Sequence, residues 1–151
     1  MRANIRAMNG ASLIEVLVTM VIVAIGLLGL AGLQVANFRN AQDAYYRSQA
    51  TFLANDILDR MRVNRAAGAD YEVAVGSAVA AGANAIAVAD VAAWKNALAS
   101  QLPDGEGSLA VAGDLVTVRV EWDDRRPAAA AGDPCYVAGT RMACFVTEAG
   151  L

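Results

Sequence analysis

Residues 16–38 contain no Asp, Glu, Lys or Arg, and this uncharged run constrains the chain more than any other stretch. As a helix rising ~1.5 Å per residue it covers ~34 Å, enough to cross a hydrocarbon core ~30 Å thick. One acid, Glu15, stands at its head, five residues after Gly10. Burying a carboxylate costs roughly 2.5 to 3.5 kcal/mol at the bilayer centre and less toward the interface, so this group needs a partner. No base follows Glu15 before Arg39, about six to seven helical turns on. The candidate partners are Arg2 and Arg6 ahead of the run, solvent at the interface, or a positive group on a neighbouring molecule.

Arg2 and Arg6 precede the run with no acid beside them. The positive-inside rule therefore places the N-terminus in the cytoplasm and the remainder beyond the inner membrane. Three simpler readings of the segment fit less well. A cleavable secretory signal has an apolar core of about 7 to 15 residues and an Ala-x-Ala-like site, and this run is too long. Leu30-Ala31-Gly32 begins like a lipoprotein box, but Leu33 stands where the lipidated cysteine belongs. A plain signal anchor accounts for the hydrophobicity, not for Gly10 and Glu15 together.

Gly10, followed by Ser12-Leu13-Ile14-Glu15-Val16-Leu17, resembles the processing and assembly motif of type IV prepilins and type II secretion pseudopilins. The resemblance implies a short basic leader cut after Gly10 by a prepilin peptidase on the cytoplasmic face. Ala11 is then the first mature residue and the site of N-methylation by the same enzyme. Members of the family usually carry Phe there, and Ala11 departs from that pattern. Glu15 falls on the family's glutamate, which is thought to pair with the freed amine of an adjoining subunit. Such a buried pair adds little net stability against its desolvation, but it fixes register between subunits.

Setting aside a leader and a membrane helix leaves about 100 residues, enough for one small core. Hydrophobic residues make up 57% of the chain, much of it alanine, and the excess lies in the first 35 or so. The net charge of −3 gives no electrostatic footprint for nucleic acid, so no nucleic-acid partner is expected. The chain has no histidine, the commonest general base and metal ligand. Its two cysteines, Cys135 and Cys144, are too few for a zinc site of four cysteines, or of two cysteines and two histidines. In an oxidising periplasm they should pair, and closing a loop of about ten residues contributes ~2.5 to 3 kcal/mol in the chain-entropy model.

Gly26, Gly29 and Gly32 recur at three-residue spacing inside the run. They offer either a smooth face for close helix packing or, as the family suggests, a weak section that melts on leaving the bilayer. No Pro or Gly interrupts the chain between Leu33 and Ala67, so one helix is expected from Ala11 to Arg65, with Gly68 as its C-cap. Phe38, Ala41, Tyr45, Phe52, Leu53, Ile57 and Met61 form its expected apolar stripe. Within it, Ser48-Gln49-Ala50-Thr51 and Ala54 to Arg65 resemble PilV-type minor pilins, in which the core Asp59-Arg60-Met61-Arg62-x-Asn64-Arg65 recurs. Asp56 with Arg60, and Asp59 with Arg62, are also spaced as ordinary surface pairs worth a few tenths of a kcal/mol.

Residues 69–89 are mostly Ala, Gly and Val and read as an irregular connection. Asp90 is placed as the N-cap of a short helix through Leu102 that buries Trp94 and Leu98, and Pro103-Asp104-Gly105 ends it. Leu109 to Ala112 and Leu115 to Trp122 flank Gly113-Asp114 as a hairpin, with Val116, Val118, Val120 and Trp122 facing a core. Met142 to Thr147 reads as a last strand, tied by Cys144 to the loop at Cys135. A long helix on a small antiparallel sheet is an α+β fold, pilin-like in arrangement.

No P-loop, GxSxG or metal-ligand spacing appears, and neither catalysis nor a cofactor is expected. Asp123 and Asp124 adjoin Arg125 and Arg126 as a solvated turn would. The expected organisation is a leader over 1–10, an assembly helix over 11–38 and a periplasmic head over 39–151. By resemblance the chain is a minor pilin of the PilV type, helping to start a type IV pilus or to present a tip adhesin. Its partners would be the prepilin peptidase, other minor pilins, the major pilin, such an adhesin and, before assembly, inner-membrane lipid. The alternatives are a minor pseudopilin of type II secretion and a membrane-anchored adhesion module.

Overall fold

The computed structural model describes residues 13–124, 135 and 142–151. They form helix α1 (Leu13–Val63), a 3-10 turn (Arg65–Tyr71), helix α2 (Ala85–Gln101) and strands β1 (Glu106–Ala112), β2 (Leu115–Asp123) and β3 (Met142–Gly150). The chain divides between Gln42 and Asp43 into two compact units.

The first unit is helical from Leu13 onward, and its apolar window has none of its surface buried within the protein. Leu28 is 74% exposed, and Leu27, Leu30 and Leu33 are likewise uncovered. Fully burying a side chain of this kind gains ~1.5 to 3 kcal/mol, so covering the whole run is worth on the order of tens of kcal/mol. Lipid or other apolar helices would supply such cover.

The second unit is a three-stranded antiparallel sheet in the order β1-β2-β3, with its core built against helices. Alternation along β2 turns Val116, Val118, Val120 and Trp122 inward, all essentially fully buried. The hairpin register pairs Ala112 with Leu115 across Gly113-Asp114. Gly113 has φ +63° while Asp114 does not enter the left-handed region, which is the II′ turn that leads with glycine. β3 runs to Gly150, three residues beyond the strand end read from sequence, because Val116 and Leu115 still pair with Ala149 and Gly150.

Ala50, Leu53, Ala54, Ile57, Leu58 and Met61 form the buried face of α1, and Ala87, Val91, Trp94 and Leu98 that of α2. Both sets follow the three- and four-residue steps of one helical face. The Trp94 indole N–H donates to the Leu53 carbonyl at 3.0 Å, locking the helices together inside the core. Trp94 and Trp122 are both core residues, as the sequence suggests.

Five expectations need correction. The apolar stripe is not single: Phe38, Tyr45 and Phe52 are 72%, 57% and 66% exposed. At ~100° per residue, Tyr45 and Phe52 lie roughly 160° from the middle of the buried arc, on the opposite side of the helix. The helix also ends at Val63, and the chain tightens into the 3-10 turn with Ala67 out of helical geometry. Gly68 is therefore not a C-cap. It is buried inside that turn, where a Cβ would lie 2.8 Å from Leu151 Cδ1. Finally, α2 begins at Ala85 and its N-cap is Asn84, whose side chain accepts from the backbone N–H groups of Ile86 and Ala87. Asp90 sits within the helix, and the connection read over 69–89 shrinks to residues 72–84, pinned where Val73 bridges Leu109.

Candidate assembly surface

Gly10 and Ala11 lie outside the described residues. Glu15 is the acid in the first described turn of α1. Among the described residues Glu15 forms no ion pair. Around it Leu13, Ile14 and Leu17 are exposed, so the first turns present a carboxylate ringed by aliphatic side chains. Such a surface suits an apolar helix that carries one positive charge. No Cβ added at Gly26, Gly29 or Gly32 would meet anything within 4 Å, so these positions are flat and open.

The charged segment at the end of α1 has two jobs. Asp59 and Arg62 pair at 2.7 Å on the exposed side, the ordinary surface pair that their spacing suggests. Arg60 reaches further. Its Nε donates to Asp56 at 3.0 Å and its Nη1 to Asp90 of α2 at 3.3 Å. Asp90 also accepts from the buried Tyr71 hydroxyl at 2.7 Å, and that hydroxyl accepts from Asn64 Nδ2 at 3.2 Å. Asn64 approaches Asn84 as well, at 3.4 Å, and the Asn84 backbone N–H donates to Asp70. Arg60, Asn64, Tyr71 and Asp90 thus form a polar clasp between the end of α1, the 3-10 turn and the first turns of α2.

The electrostatics match this geometry. Hydrogen bonding to Asp56 is the main cause that raises the Arg60 guanidinium above its ordinary range, and Asp90 adds to it. Burial pushes the Tyr71 phenol up, with the Asn64 hydrogen bond working against it and Asp90 with it. Lys95 of α2 is pulled down by burial while it donates to the carbonyls of Ala74 and Ser77, closing the loop that follows the bridge. On the sheet, Glu121 is the buried charge among the described residues, and Arg119 pairs with it.

Cys135 and Cys144 are joined by a disulfide, with Cα atoms 5.2 Å apart. Cys144 stands directly opposite Glu121 in the sheet register, so the bridge ties the segment before β3 to the same side of the sheet as the Arg119–Glu121 pair. Asp123 closes β2, and its N–H donates to the Pro103 carbonyl rather than belonging to a turn.

Residues 5–31 match the prokaryotic N-terminal methylation motif, and residues 32–99 match the family described as type IV pilin Tt1218. These two matches support a type IV pilin. No curated protein and no solved structure matches the chain. The first match spans Gly10, Ala11 and Glu15, and a methylation motif implies processing by a prepilin peptidase and assembly with other pilins. The second covers the later part of α1, the 3-10 turn and most of α2, so every clasp residue falls inside it and the sheet falls outside. The long helix on a small antiparallel sheet is a pilin-like α+β arrangement. With the prepilin motif, the uncovered apolar helix is consistent with membrane anchoring followed by incorporation into a fibre.

Proposed function

We propose that this pilin is a minor subunit of the PilV type, a structural component rather than an enzyme. It is held in the inner membrane with its N-terminus cytoplasmic and its head periplasmic. It is cut between Gly10 and Ala11, methylated at Ala11, and drawn into a type IV pilus with other minor pilins and the major pilin. There it helps to start assembly or to present a tip adhesin. One observation carries this reading: an apolar helix with a single acid in its first turn continues unbroken into the helix that builds the head core. A membrane anchor needs only the apolar part, whereas a fibre subunit needs its assembly helix to run on into the head. In the fibre the apolar run of α1 packs on neighbouring helices, and Glu15 meets a neighbour's N-terminal amine in a low-dielectric setting.

The test is recovery in sheared fibres alongside the mass of the mature chain. Gly10→Arg should leave the precursor uncut. Glu15→Ala should be inserted and cut normally yet be lost from fibres. Normal fibre recovery of Glu15→Ala would refute the pairing. Co-purification of the mature chain with a secretion complex, and not with pili, would favour a type II pseudopilin.

A further inference from the structure

We draw no further inference here: the strongest candidate, the exposed face of α1 that carries Tyr45 and Phe52 at a seven-residue step, is an apolar helix surface with nothing in the structure to show what covers it beyond the subunit packing already proposed.

Discussion

Replacing Asp90 by Ala tests whether the clasp holds the end of α1 to α2. The substitution removes an acceptor that takes the Tyr71 hydroxyl at 2.7 Å and Arg60 at 3.3 Å. A hydrogen bond to a charged group contributes roughly 1.5 to 3 kcal/mol, and the better helix propensity of Ala returns about 0.5 kcal/mol. The expected net loss is about 1 to 2.5 kcal/mol. For a head of this size that lowers the midpoint by roughly 4 to 20 °C. Trp94 and Trp122, each about 1% exposed, make intrinsic fluorescence a reporter of the head alone while the full chain is heated in mild detergent. Tyr71→Phe should cost a comparable amount, and the double variant much less than the sum, with a coupling of about 1 kcal/mol or more. Additive losses within ~0.5 kcal/mol would mean that Asp90 and Tyr71 act separately, and the clasp would be wrong.

Three further outcomes follow from the same structure. Tyr71 holds its proton to higher pH folded than its ordinary 10.0, so its contribution is present below about pH 10 and is lost as pH rises past it. Lys95, lowered by burial, has the opposite sign over that range, so the measurement is the difference between wild type and Tyr71→Phe. Equal alkaline slopes would remove the Tyr71 assignment. Gly107→Ala would drive a Cβ to 2.8 Å from Leu98 Cδ1 and into the Trp94 ring, and overpacking there should cost about 1 to 3 kcal/mol in the same assay. Cys135→Ser opens a bridge across a sequence separation of 9 and should cost ~2.5 to 3 kcal/mol, whereas two free thiols in the unreduced, denatured wild type would disprove the bridge.

The elements that sequence resolves well are those whose periodicity one partner dictates. Val116, Val118, Val120 and Trp122 alternate because a single helical layer covers one side of β2, and that pattern is visible residue by residue. The uncharged run needs only its length and Glu15. The outer stripe is harder, since Phe38, Tyr45 and Phe52 share helical spacing with the true core residues, and spacing alone does not say which of two apolar faces meets the sheet. Asp90 is a cap by residue type, but α2 begins about one and a half turns earlier, where Asn84 accepts from Ile86 and Ala87, and Asp90 is bonded instead to Tyr71 and Arg60. Tyr71 itself lies in an Ala- and Gly-rich stretch with no period, so its role depends on contacts 7 and 19 residues away. The Asp59 to Arg65 segment does not read as a joint in the sequence, because the Arg60–Asp90 and Asn64–Tyr71 bonds form only after the chain has turned back.

The clasp also sets how a tug is shared. A displacement of the end of α1 reaches α2 directly through the Arg60–Asp90 bond, as well as the core through Leu53, Ile57 and Met61, and Tyr71–Asp90 ties the 3-10 turn to the same point.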